Sequence, residues 1–274
     1  MPEYDFGGKV ALVTGAAHGQ GRSHAQHYAR HGADVVCLDI GEDKSSVPYE
    51  LGTSEELEET ASLVEDEGGE ALTIEADVSN EAEVAAAVDE AVDHFGKVDV
   101  LANNAAVITI SDMVQLDERE WDDVVDTNLK GVWLCAKHVG QHFVERGDGG
   151  KIVSTASQAG VTGDPGAGHY VATKHGVLGL TKTLALELAE YDVNVNAVYP
   201  SVVETPMIAG LAEAYGEELI GEMAEVGGPM NVFDHEDPAI DSKHISEAYM
   251  WLSSDAARYV TGIALPVDTG HTAK

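Results

Sequence analysis

Basic side chains are scarce in this sequence. Fifteen lysines and arginines face 49 aspartates and glutamates across 274 residues, a formal net charge of −34. Nucleic acid and anionic lipid surfaces repel such a polyanion, so neither is expected as a partner. The acids run the whole length of the chain rather than gathering in a patch, which argues against docking to a basic protein. The pattern suits a halophile's salt-rich cytosol, where screening lengths fall to about 3 Å at molar salt and self-repulsion is damped. Disorder is excluded, because 44% of the residues are hydrophobic and recur in regular runs.

Cysteine is rarer still. Cys37 and Cys135 are the only two, each in an apolar setting without C-x-x-C or zinc-ligand spacing. That excludes a disulfide framework and leaves two small core residues of a reducing compartment. No apolar run approaches the ~20 residues that a membrane helix needs. No basic segment followed by an apolar core opens the chain, so a soluble, cytoplasmic protein is expected. Internal repeats and low-complexity linkers are missing too, so residues 1–274 are expected to form one domain.

What is present is an alternation. Val10–Thr14, Val35–Asp39, Ala71–Asp77, Val98–Asn103, Lys151–Ser154, Val193–Val198 and Ile263–Val267 are short, near-continuous apolar runs. Such runs suit strands covered on both faces. Amphipathic stretches such as Glu81–His94, Glu118–Val132 and Tyr170–Glu190 lie between them. The expected architecture is α/β, a doubly wound Rossmann fold whose seven-stranded parallel sheet carries helices on both faces. Two segments break the rhythm: a polar insertion at 41–58 and a long stretch at 205–242, placed where such folds build ligand sites and lids.

Thr14-Gly15-Ala16-Ala17-His18-Gly19-Gln20-Gly21 follows the first strand and opens the first helix. Gly15 permits a sharp turn, while Gly19 and Gly21 clear space for a pyrophosphate and for helix–sheet contact. The helix N-terminus then offers free N–H groups and a positive dipole end. Asp39 ends the second strand, with Ile40 beside it. A carboxylate there accepts both adenosine ribose hydroxyls and repels a 2′-phosphate, which selects NAD over NADP despite the nearby His18.

Tyr170-Val171-Ala172-Thr173-Lys174 is the only Y-x-x-x-K in the chain, and this spacing puts both side chains on one helix face. A free tyrosine is a poor base at neutral pH, but a lysine ammonium and a cationic nicotinamide favour the phenolate. Tyr170 can then exchange a proton with a carbinol oxygen, while Lys174 also reaches the nicotinamide ribose. Ser157, after the fifth strand, can polarise the same oxygen. Asn128, in the helical stretch before it, can hold a water linking Lys174 to solvent. Each alone reads as ordinary; the set in this order reads as catalytic.

With these motifs the chain resembles the short-chain dehydrogenase/reductase family over nearly its whole length. Asp77-Val78 after the third strand and Asn104-Ala105 after the fourth complete the family order. The resemblance implies that Asp77 and Val78 bracket the adenine and that Asn104 supports the fourth strand beside the cofactor. It implies that Pro200, Val203 and Thr205 meet the carboxamide end of the nicotinamide, and that the protein is a homotetramer. Ala106 and Ser201 stand where the family usually has glycines; by the resemblance the first crowds the floor of the site and the second alters the turn over the nicotinamide. Gly19–Ala25, Ser46–Tyr49, Thr205–Ile208 and the ending Ala257–Asp268 resemble a narrower group, the carveol-dehydrogenase-like, mycofactocin-coupled subfamily. That likeness implies a hydrophobic or terpenoid secondary alcohol as substrate. It also implies NAD retained with help from the insertion, and mycofactocin as external electron acceptor.

Other signals read as plain surface. His24, His27 and His31 at helical spacing, and His138 with His142, are taken as surface histidines rather than a metal site. Glu55–Glu59 and Glu217–Glu225 are taken as solvated acidic faces. Two rival functions stand beside the leading one: a ketoacyl-type or other carbonyl reductase using free NAD(P)H, and a Rossmann protein that senses NAD without catalysis.

Overall fold

The computed structural model describes residues 4–216 and 239–273. Seven strands form one parallel sheet in the order β3-β2-β1-β4-β5-β6-β7. They are β1 Val10–Thr14, β2 Asp34–Asp39, β3 Ala71–Glu75, β4 Val100–Asn103, β5 Gly150–Thr155, β6 Val193–Pro200 and β7 Ala264–Val267. Each predicted strand is found, with ends moved by up to two residues; the third run stops at Glu75, so Asp77 lies in the loop. The order reverses between β1 and β4, so the loops after these strands diverge and leave a crevice at their carboxyl ends.

Alternation along β1 explains why its run is apolar from Val10 to Val13. Ala11 and Val13 face one core with Ala25 and Tyr28 of α1 (Gly19–Arg30) and Tyr249 and Met250 of α8 (Ser242–Ser253). Val10 and Leu12 face the other, with Val84 and Ala87 of α3 (Glu81–Phe95) and Leu134 and Phe143 of α5 (Val132–Arg146). Both faces are covered, so a side chain on either register position from Val10 to Val13 is buried. Cys37 and Cys135 sit in these cores as free thiols, and burial pushes both up to about 12.

Four expectations need correction. The stretch from Glu118 is not one helix: α4 (Glu118–Val125) passes into a π-helical segment, Asp126–Gly131, before α5. Sequence periodicity cannot register one widened turn. The insertion is shorter than 41–58, because α2 (Ser54–Asp66) already begins inside it. Thr53 and Glu56 form a reciprocal capping box there. Nor is it wholly polar, since Val47 and Tyr49 are buried. His24 and His27 are not on the surface but buried, at 0% and 6% exposure.

His24 stacks on Tyr249 at 4.0 Å, and its Nδ1 bonds the Ser246 hydroxyl at 2.8 Å, joining α1 to α8. Of the stretch 205–242, the described part holds α7 (Pro206–Tyr215) and a bridge between Val203 and Ile240. The acidic face at Glu217–Glu225 lies outside the described residues. Helix α6 spans Gly168–Glu187 and carries the Y-x-x-x-K pair. Among the described residues no helix is long and apolar enough to cross a membrane.

Candidate active site

The strand ends at the crevice are pinned together. The Thr14 hydroxyl accepts from the backbone amides of Asn104 and Ala105 at 2.9 and 3.0 Å. Asn104 Nδ2 donates to the Thr14 carbonyl at 3.1 Å, and its Oδ1 accepts from the Thr155 hydroxyl at 3.1 Å. Tyr249 bonds the same Thr155 hydroxyl at 2.6 Å. One side-chain network therefore fixes the ends of β1, β4 and β5 relative to each other.

The glycine turn depends on this closeness. Gly15 has a φ of +68°, and a Cβ on it would lie 2.9 Å from the Ala105 Cα. A Cβ on Gly21 would sit 1.8 Å from the Gly15 carbonyl oxygen, so no side chain fits. His18, the residue before α1, makes no side-chain cap, and the first turn holds no acid. The amides of that turn remain open toward the crevice, an arrangement suited to an anion.

Asp39 is buried, its two oxygens accepting from the amides of Ala17 at 2.9 Å and Ile40 at 2.8 Å. Burial raises its pKa, opposed by those two amides and by His18. Asp77 is held below the usual carboxyl range. Burial alone would raise it, but the Lys44 ammonium at 2.6 Å and Ser79 outweigh that. Lys44 comes from the insertion, which folds back over the crevice. Its Tyr49 hydroxyl accepts from the Ile108 amide at 3.0 Å, and its Gly52 packs so tightly that a Cβ would meet Ala17 Cβ at 2.5 Å.

Tyr170 and Lys174 rise from the start of α6 into the same crevice. The Ser157 side chain is close enough to Tyr170 to lower its pKa, and its oxygen accepts from the Ala159 amide at 3.2 Å. Lys174 Nζ lies 5.3 Å from the Tyr170 ring centre and donates to the Thr155 carbonyl at 2.9 Å. Burial pushes Tyr170 up to about 12, against the lowering by Ser157, and pushes Lys174 down to about 7. In the protein alone the phenol is therefore not acidified by its lysine. Desolvation outweighs the lowering by Ser157.

Of the residues predicted from sequence, Gly15, Gly19, Gln20, Asp39, Ile40, Asp77, Val78, Asn104, Ser157, Tyr170, Lys174, Pro200, Val203 and Thr205 all line this one cleft. Two do not. Gly21 serves packing behind the turn. Asn128 lies in the π-helical segment, where Oδ1 accepts from the Val107 amide at 2.8 Å and Nδ2 donates to the Val107 carbonyl at 2.7 Å. Its side chain fastens the segment after β4 rather than standing free to hold a water.

Sequence reasoning missed Lys44, Thr127, Gln158 and Asp164. Lys44 had a signal, as the one base in an acidic insertion. The rest had none, because only folding brings them to the cleft. Ala106 and Ser201 line it as well. Gln20 Oε1, Thr127 Oγ1, Gln158 Oε1 and Ser201 Oγ are buried there without hydrogen-bond partners. Polar atoms so placed cost free energy unless a ligand or water pairs with them. Among the described residues no group of histidine, cysteine and acid side chains could hold a metal.

An open helix N-terminus at a strand-order reversal, a buried acid at the end of β2 and a Ser–Tyr–Lys cluster opposite them define a Rossmann-type site built for a dinucleotide. The chain belongs to the short chain dehydrogenase family, whose profile matches residues 9–216. It is 41% identical over 274 residues to (−)-trans-carveol dehydrogenase of Rhodococcus erythropolis, covering 97% of this chain and 98% of that one. Its fold matches carveol dehydrogenase from Mycobacterium avium in complex with NAD at a TM-score of 0.91. There the identity is 37%, and 99% of this chain and 100% of that one are covered. A short chain dehydrogenase from Mycobacterium paratuberculosis bound to NAD matches at a TM-score of 0.90, with 32% identity over 98% and 100% of the two chains.

Proposed function

We propose that this protein is an NAD-dependent dehydrogenase that moves a hydride between a secondary alcohol, or its ketone, and nicotinamide. One observation carries the reading: Tyr170 stands beside Lys174 and lines, with Ser157, the same cleft as the glycine turn and Asp39. The residues fit a dinucleotide. The open amides of α1 suit its pyrophosphate, Asp39 its adenosine ribose, and the unpartnered cleft atoms its polar edges. Asp77 and Val78 would flank the adenine, Asn104 would support the fourth strand beside the cofactor, and Pro200, Val203 and Thr205 would meet the carboxamide end of the nicotinamide. Bound NAD supplies the hydride acceptor and a local positive charge.

The protein's own groups handle the proton. Tyr170 exchanges it with the substrate oxygen, Ser157 orients that oxygen, and Lys174 tethers the Thr155 carbonyl while reaching toward the cofactor ribose. Asn128 holds the Val107 segment in position. Val107, Ile108, Met207, Ile208 and Leu211 give the cleft an apolar wall, which favours a hydrophobic, carveol-like or terpenoid substrate, as the relatives' names do.

Three narrower readings accompany this one. Residues 41–53 act as a strap that retains NAD, supported by the Tyr49 and Lys44 bonds across the cleft. Mycofactocin would serve such a retained cofactor as external electron acceptor. The molecule is a cytoplasmic homotetramer of a halophile, supported by exposed Trp133 and Leu186 on α5 and α6 and by the net charge of −34. The test is purification at molar salt, mass spectrometry of the ligand released on denaturation, and nicotinamide reduction by secondary alcohols. NAD should be released and reduced. A protein that carries NADP, or that leaves nicotinamide oxidised with every secondary alcohol, would contradict the proposal.

A further inference from the structure

We infer that the cleft contains a second polar subsite, formed by Asp164, that binds a hydroxyl of the substrate other than the one oxidised. The inference names a substrate class and rests on the dehydrogenase reading above. Asp164 lies in the loop between β5 and α6, half-buried, and lines the cleft together with Tyr170. Its backbone carbonyl accepts from the Ala167 amide at 3.1 Å. Its carboxylate makes no hydrogen bond or ion pair with any described residue.

A structural duty does not account for it. The residue before α6 is Ala167, that helix end has no side-chain cap, and its first turn holds no acid. Among the described residues His271, in the C-terminal turn, acts to lower the Asp164 pKa. The two are not ion-paired, and the His271 Nδ1 is itself buried without a partner. Burial lifts the Asp164 carboxyl above its usual range, and Asp164 in turn raises the pKa of Tyr170, so its field reaches the reacting end of the cleft.

A carboxylate is an acceptor only, and one left half-desolvated gains most from a donor brought by a ligand. Gln158 Oε1, on the same stretch of chain and at the same cleft, is a second acceptor lacking a donor. The remaining wall is apolar. The complementary molecule therefore has an apolar skeleton and a neutral hydroxyl in addition to the reacting carbinol. An ammonium would bury two charges against that apolar wall, and a carboxylate would face Asp164 directly.

The test is the second-order rate constant for nicotinamide reduction on the NAD-loaded protein. A cyclic secondary alcohol, its positional diols, and the same ring bearing a carboxylate are compared for the wild type, Asp164→Asn and Asp164→Ala. Taking the ratio of diol to mono-alcohol cancels any effect of Asp164 on Tyr170, which serves both substrates. One diol should exceed the mono-alcohol by about tenfold in the wild type, as a charge-assisted hydrogen bond provides. The ratio should fall toward one in both variants, and the acid should gain. Variants are compared only where their melting midpoints match the wild type. A wild-type ratio near one for every diol, or a ratio unchanged in both variants, overturns the subsite. Failure of all the alcohols in the wild type overturns the dehydrogenase reading and the subsite with it.

Discussion

At the scale of single residues, the site is built from groups held in unfavourable states. Lys174 is 1% exposed, and its pKa falls from 10.5 to about 7 through burial. A lowered lysine penalises the charged form. The cost is full below pH 7 and fades between pH 7 and 10.5, where the unfolded chain keeps a proton that the folded one sheds. The shift corresponds to roughly 5 kcal/mol, and losing the bond to the Thr155 carbonyl returns about 2 of these. Lys174→Met should therefore raise stability by about 3 kcal/mol below pH 7 in denaturant unfolding, while abolishing nicotinamide reduction. Unchanged or lowered stability would show that the buried ammonium is better compensated than the geometry indicates. The identity of this lysine was legible in the sequence because the spacing to Tyr170 is local. Its thermodynamic state was not, since desolvation comes from residues such as Thr155 that fold in from elsewhere.

At the scale of elements, the seven strands were legible because the central ones are buried on both faces and the runs are short and mostly apolar. The π-helical segment and the strap were not. A π turn leaves no period to read, and the strap's Val47, Tyr49 and Leu51 find their apolar partners on α7 and beyond β4. The same blindness made α1's histidines look exposed. Burial lowers the His24 pKa from 6.5 to about 3, and the neutral ring lies between α1 and α8. As pH drops through this window the unfolded chain binds a proton that the folded chain refuses, so stability falls. Between neutrality and roughly pH 5 this contributes about 2 kcal/mol of loss. In His24→Phe, which keeps a ring on Tyr249, unfolding measured across that range should be flatter than the wild type by this amount. Parallel curves would mean that His24 is not held neutral.

At the scale of the whole molecule, charge dominates. With a net −34 the folded chain repels itself over distances that dilute salt does not screen, since the screening length is about 10 Å at 0.1 M and about 3 Å at 1 M. Each ~1 kcal/mol of relieved repulsion moves the melting midpoint by about 2–4 °C in a domain of this size. We expect the midpoint to rise by about 10 °C or more between roughly 0.1 and 2 M potassium chloride, read by thermal scanning. A flat or falling midpoint would refute the salt adaptation. Charge was fully legible from composition. How the polyanion arranges a cleft was legible only in part, because Asp39 announces itself at a strand end whereas Asp164 sits in an unremarkable loop.

The most direct measurement of the central claim is nicotinamide reduction in a single turnover by Tyr170→Phe loaded with NAD. Removing one oxygen should slow the reaction by about a thousandfold and leave the amount of bound NAD unchanged. A variant that reduces its nicotinamide as fast as the wild type would show that the proton travels by another group.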